Sequence, residues 1–161
     1  MALLGRRRSK LEETAGLLDG KGHLTVPTDV SDEVGVAAAG TIIAERWGAI
    51  DILVSNAGVN HPADAIRADW IDWHTPIRVT LEGAAHCCRT FVPLMTDGGR
   101  IISVTSVHAT RVERYGSSYS AAKAGLMGAS RAIAAEVARL GVRVNVVAPG
   151  LIQTEMIEDI P

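Results

Sequence analysis

The stretch Arg100–Gly150, RIISVTSVHATRVERYGSSYSAAKAGLMGASRAIAAEVARLGVRVNVVAPG, decides the fold. RIISVT is a short apolar run rich in β-branched residues, and it reads as a buried strand. An Ala-rich span from about Ser118 to Leu140 follows, built of strong helix formers. VRVNVV is the next strand, and Pro149-Gly150 ends it. Strand, long helix and strand in this order predict two parallel strands joined by a right-handed crossover.

The same alternation runs upstream. The strand-like run Ala2–Leu4 meets Gly5 and the arginines Arg6, Arg7 and Arg8. Ser9 and Glu12 stand in capping-box spacing, which predicts a helix from near Lys10 to the Asp19-Gly20-Lys21-Gly22 cluster. HLTV is a strand ending at Pro27, and Ser31–Trp47 carries Val34, Ala38, Ile42 and Ile43 at helical spacing. DILV is an apolar strand that breaks at Ser55-Asn56-Ala57-Gly58. The Trp-bearing segment from Ala63 to His74 leads into another helix, where Thr75 and Pro76 are expected to cap or begin the first turn. Its apolar side carries Leu81, Ala84, Ala85, Cys88, Phe91, Val92 and Met95. The whole predicts an α/β fold, a Rossmann-like doubly wound parallel sheet with helices on both faces. Ligands of such sheets sit beyond the carboxyl ends of the strands, which here read SNAG, TSVHA and APG.

The 161 residues suit one domain spanning 1–161. A net charge of −2 and an aromatic content of 4% offer neither a positive field nor stacking platforms, so nucleic acid is not an expected partner. At 47% hydrophobic residues the chain is too apolar for disorder. It has no run near the roughly 18 apolar residues of a membrane span. The start, MALLGRRRSK, reverses the charge order of a secretory signal, and the adjacent Cys87 and Cys88 suit neither a disulfide framework nor a zinc site. A cytoplasmic location and no membrane partner are expected. His23, His61, His74, His86 and His108 lack metal-ligand spacing, so no metal is expected.

Tyr119 and Lys123 are four residues apart on the best helix, which puts both on one face. A free phenol titrates near pH 10, and a neighbouring ammonium stabilises its phenolate and so makes it useful nearer neutrality. Ser106, just past RIISVT, lies at the carboxyl edge of the sheet, where it can donate to a carbonyl oxygen held by Tyr119. Tyr115 precedes Tyr119 by four residues and has no Lys four residues on, so it is set aside.

YSAAK at 119–123, Ser106 thirteen residues before Tyr119, the SNAG turn, and RVNVVAPG followed by Thr154 resemble the short-chain dehydrogenase/reductase family over nearly the whole chain. YSAAKAGL with PGLIQTEM is most similar to its 3-oxoacyl-acyl-carrier-protein reductase branch. The resemblance implies that Tyr119 is the general acid in carbonyl reduction and the base in alcohol oxidation, that Lys123 stabilises the phenolate and binds the nicotinamide ribose, and that Ser106 orients the carbonyl. Asn56, Ala57 and Gly58 would line the cofactor, Asp29 and Val30 would contact the adenine, and Thr154, with the backbone near Ile152 after Pro149 and Gly150, would hold the carboxamide. Asp29 alternatively helps to cap the helix after Ser31. The family's acid at the end of its second strand favours NAD. Here Gly5 is followed by Arg6 and Arg7, whose guanidinium groups suit a 2′-phosphate, so NADP(H) is preferred with NAD(H) second; a solvated helix start is the other reading of these arginines. The family's oligomer surface would fall on the helices around 76–95 and 118–140.

The chain departs from the family pattern in three places. No TGxxxGxG turn occurs in the sequence, whose start matches the family's second strand; the family's first strand would lie between the second and fourth and leave two edges unpaired. Thr80 stands where the family has an Asn that anchors a water-linked relay to the Lys, and its hydroxyl reaches less far and can bond back to its own helix. Pro161 falls within the family's substrate lid, ahead of its last strand. The function expected is interconversion of a ketone and a secondary alcohol, with 3-oxoacyl thioesters as one substrate class. The rivals are a non-catalytic fragment or pseudoenzyme, and a structural subunit that completes its sheet with a partner chain.

Overall fold

The computed structural model describes residues 1–62, 64–96, 98–111 and 114–152. In chain order its elements are β1 (Ala2–Gly5), α1 (Arg8–Leu17), β2 (Leu24–Pro27), α2 (Glu33–Trp47), β3 (Ile52–Ser55), α3 (Trp70–Pro76), α4 (Gly83–Phe91), β4 (Arg100–Val104), α5 (Ser117–Val137) and β5 (Arg143–Val147). A π-helical turn, Ile77–Glu82, joins α3 to α4.

All pairings among the described residues are parallel: β1 with β2, and β3 with β4 with β5. The doubly wound parallel architecture read from the sequence is therefore present, in two pieces. β1 and β3 do not pair, which is the expected pair of open edges. In the larger piece Leu53, Ile101 and Val144 share one row and pack with Cys88, Met95, Val137 and Val142. On the opposite face Ile52, Val54 and Val147 are half exposed. A second cluster, Val30, Val36, Ile43, Cys87 and Phe91, takes in Leu4 and Leu24 from the smaller sheet and Leu53 from the larger, so apolar packing joins what strand pairing does not.

Three helix starts differ from expectation. α1 begins at Arg8 with no side-chain cap bond, so Ser9 lies inside the helix and forms no capping box. In α2 the cap is Asp32, whose carboxylate accepts the Val34 N–H at 3.1 Å. Helical structure reaches back to Trp70 and places Pro76 inside the helix rather than at its start. An interior proline has no N–H and crowds the preceding turn. The chain continues past it in a widened turn, in which the Gly83 N–H reaches the Arg78 carbonyl five residues back. That turn aims Thr80 inward, where it is wholly buried.

Candidate active site

Ser106, Tyr119 and Lys123 are brought together at the carboxyl end of β4. The Thr105 N–H donates to the Val147 carbonyl at 2.8 Å and the Val107 N–H to the Pro149 carbonyl at 3.0 Å, so the loops after β4 and β5 are tied together around Ser106. Ser106 is extended, at φ −161° and ψ 159°, and caps a 3₁₀ turn, Val107–Ala109. Its Oγ accepts the His108 N–H at 3.2 Å. A backbone donor on the oxygen leaves the hydroxyl proton available to donate outward, as carbonyl polarisation requires.

Lys123, on the second turn of α5, is 4% exposed. Its Nζ donates to the Val104 carbonyl at 2.8 Å and lies 5.6 Å from the centroid of the Tyr119 ring. Burial pulls its ammonium down to about 8. The same ring meets His108 edge to face, with centroids 5.9 Å apart and planes at 82°. Tyr119 is half-buried, with one flank on the lysine and another on the histidine. Tyr115 is exposed beneath the Arg114 guanidinium at a left-handed φ of 64°, and no contact ties it to this cluster.

Gly58 closes the floor. A Cβ at this position would lie 3.2 Å from Lys123 Nζ and 3.4 Å from Thr80 Oγ1, so the missing side chain is room for the ammonium. Among the described residues the Thr80 hydroxyl has no hydrogen-bond partner, which corrects the expectation that it turns back onto its own helix. Ser55 Oγ, Ser120 Oγ and Asn60 Oδ1 are likewise buried without protein partners. Buried polar atoms in that condition call for water or ligand atoms. Gly58→Ala is expected to shift the ammonium by a few tenths of an ångström and to lower turnover about tenfold to a hundredfold. Thermal melting in parallel with kinetics checks this, because the melting temperature should barely move.

The other end of the expected site lies on the small sheet. Arg6 and Arg7 follow β1 and are exposed, while Arg8, the first residue of α1, pairs with Glu12 at 3.9 Å. The Asp29 carboxylate accepts the Ser31 hydroxyl at 2.7 Å and the Ser31 N–H at 2.9 Å. These bonds hold it below the usual carboxylate range against the opposing effect of burial, with smaller help from Arg6 and Arg78. Asp29 thus braces the loop before α2, and the cap itself belongs to Asp32. Val30 is a core residue: its side chain lies where a Cβ on Gly83 would fall, 2.7 Å away, and its carbonyl meets His86 Nδ1 at 2.9 Å. Asn56 and Ala57 are exposed after β3, and Pro149, Gly150 and Ile152 follow β5. Thr154 lies outside the described residues.

The residues present suit the two ends of a dinucleotide: the Arg6 guanidinium near the Asp29 carboxylate at one, and the Lys123 pocket with the unpartnered Thr80 hydroxyl at the other. They provide no Gly-rich turn for its middle. Two contributors escape the sequence reading. Arg78 carries no local signal, since only folding brings the π-helical turn towards Asp29. His108 is one of five scattered histidines until the 3₁₀ turn sets it on Tyr119. Cys87 and Cys88 are core residues, and burial raises their thiols to about 12 and about 11, far from thiolate reactivity. Among the described residues no cluster could hold a metal ion, and no helix is long and apolar enough to cross a membrane.

A parallel sheet thus brings a Ser, a Tyr and a Lys together at the carboxyl edge of β4, an arrangement suited to proton transfer at a carbonyl oxygen. Residues 1–161 match the family model described as "Enoyl-(Acyl carrier protein) reductase", and the chain belongs to the short-chain dehydrogenase/reductase family. It is 37% identical over 157 residues to carbonyl reductase family member 4 of Danio rerio, covering 97% of this chain and 66% of that protein. It is 36% identical over 157 residues to the 3-oxoacyl-[acyl-carrier-protein] reductase of Mus musculus, with the same shares. The crystal structure of L-sorbose reductase from Gluconobacter frateurii, complexed with NADPH and L-sorbose, superimposes with a TM-score of 0.91 at 33% identity, covering 96% of this chain and 60% of that one. The chain thus spans about 66% of the length of these curated relatives.

Proposed function

We propose that this protein is a cytoplasmic, NADP(H)-preferring oxidoreductase that interconverts a ketone and a secondary alcohol, with 3-oxoacyl thioesters as a candidate substrate class. One observation carries the reading: the Tyr119 ring lies beside a buried ammonium, on the helix that packs against the Ser106 turn. Ser106 donates its hydroxyl proton to the substrate oxygen. Tyr119 gives its phenolic proton to that oxygen in reduction and takes it back in oxidation. Lys123 stabilises the phenolate left behind, and its fixed bond to the Val104 carbonyl keeps it there. The nicotinamide dinucleotide supplies or accepts the hydride when bound, and the chain contributes position and electrostatics. Names among the relatives, a carbonyl reductase and a 3-oxoacyl reductase, support the substrate class. The NADPH-bound neighbour supports the cofactor.

The exposed Trp70 and Ile71, on the first turn of α3, which leads into 76–95, support a second copy of the chain as partner, through the helices around 76–95 and 118–140. The rival reading, a subunit or fragment without turnover of its own, draws support from the open edges of β1 and β3.

Fluorescence titration of the 161-residue chain with NADPH and with NADH separates the two readings. Saturable binding that favours NADPH is expected; a folded chain that binds neither would leave the rival. Reversing the charges of Arg6 and Arg7 together should weaken NADPH by about 2–4 kcal/mol, from two charge-assisted contacts, and NADH much less. Equal weakening of both cofactors would remove the 2′-phosphate from the reading.

A further inference from the structure

We propose that His108 is a positioning residue of the active site, one that sets the orientation of the Tyr119 ring and of the Ser106 hydroxyl together. This rests on the function proposed above and adds to it a residue outside the Ser, Tyr and Lys set. Residue 108 touches both partners by different groups. Its backbone N–H occupies one lone pair of Ser106 Oγ at 3.2 Å, and its imidazole stands edge to face with the Tyr119 ring at 5.9 Å.

The phenol must reach the same substrate oxygen as the serine, yet a tyrosine ring near the start of a helix is free to swing about χ1 and χ2 unless something flanks it. The ammonium of Lys123 takes one flank, and it is itself fixed by the Val104 carbonyl. His108 supplies another flank from a separate element, the 3₁₀ turn Val107–Ala109. That turn is anchored at its base by the Val107 N–H on the Pro149 carbonyl and closed by the Ala109 N–H on the Ser106 carbonyl, both at 3.0 Å. The flank is therefore rigid. It is also shared, because one short turn carries the serine at its start and the ring in its middle. A small residue at 108 would keep the backbone bond to Ser106 and lose the ring contact.

The test compares His108→Ala with His108→Phe. The chain has two tyrosines, so a Tyr115→Phe background, which alters an exposed residue outside the cluster, leaves Tyr119 as the sole tyrosine. His108→Ala is expected to lower kcat about tenfold, the order expected for one edge-to-face aromatic contact, with the Kd for NADPH unchanged. His108→Phe, which restores a ring without an imidazole, should recover most of the loss. In NMR spectra of the tyrosine ring, Ala should shift and sharpen the Tyr119 signals, and Phe should hold them near the parent positions. Equal loss in both variants, or an unmoved kcat in His108→Ala, would overturn the positioning role. If the parent chain lacks turnover altogether, the function proposal fails separately. The ring signals then decide the present one: no change on His108→Ala would refute it, and a shift rescued by Phe would sustain it.

Discussion

Tyr119→Phe is expected to cut turnover about 10³-fold or more, the upper part of the range for a general acid, while leaving the Kd for the dinucleotide within about twofold. Only the phenolic oxygen is removed. The ring remains to pack against His108 and under Lys123, so neither flank collapses and the fold should be intact. Steady-state kinetics alongside fluorescence titration would test this. Retained turnover would end the proposed proton transfer, and lost cofactor binding would mean that the hydroxyl is a binding group instead.

Lys123→Met should lower turnover about 10²-fold to 10⁴-fold, because the phenolate loses its stabilising cation. The same variant has a second signature in stability. The folded ammonium titrates at about 8 because it is buried, against 10.5 for an ordinary lysine. Between those two values the unfolded chain holds a proton that the folded chain has released. Stability attributable to this group therefore rises with pH across the window, by up to about 1.4 kcal/mol per pH unit, and is flat below it. Denaturant melts at about pH 7.5 and about pH 10 should show the parent gaining on Lys123→Met as pH rises. A constant difference between the two proteins would mean that Lys123 is more solvated than its 4% exposure implies.

The sequence made the alternation of strands and helices legible because each strand is a compact apolar run and each long helix carries its own period. YSAAK was legible for the same reason, since helical spacing alone puts Tyr119 and Lys123 on one face. Pro76 misled, because local rules place a proline at a helix start, whereas tertiary packing carries the helix through it by a π-helical turn. The same turn decides Thr80, whose hydroxyl is freed from its own helix by geometry that no spacing encodes. Ser9 with Glu12 had the form of a capping box, but helix α1 already begins at Arg8, so the Ser9 side chain is past the cap position. His108 and Arg78 were out of reach for a different reason. Only folding brings His108 onto the Tyr119 ring and the Arg78 charge within range of Asp29, and nothing in their immediate neighbours marks them.

The break between β1 and β3 has a consequence for how the molecule opens. β4 is bonded on both edges, to β3 and to β5, and α5 packs on it, so its amides should exchange with solvent most slowly. Ser106 and Lys123 are attached to that slow-exchanging slab. Arg6 and Asp29 ride on a two-stranded ribbon joined to it by apolar packing and by side-chain bonds such as His86 on the Val30 carbonyl, without strand pairing. A molecule reaching from Arg6 to Ser106 would cross this seam like a strap. Its binding energy would appear as slower exchange in β1 and β2, far from the reacting groups, before it altered anything around Tyr119.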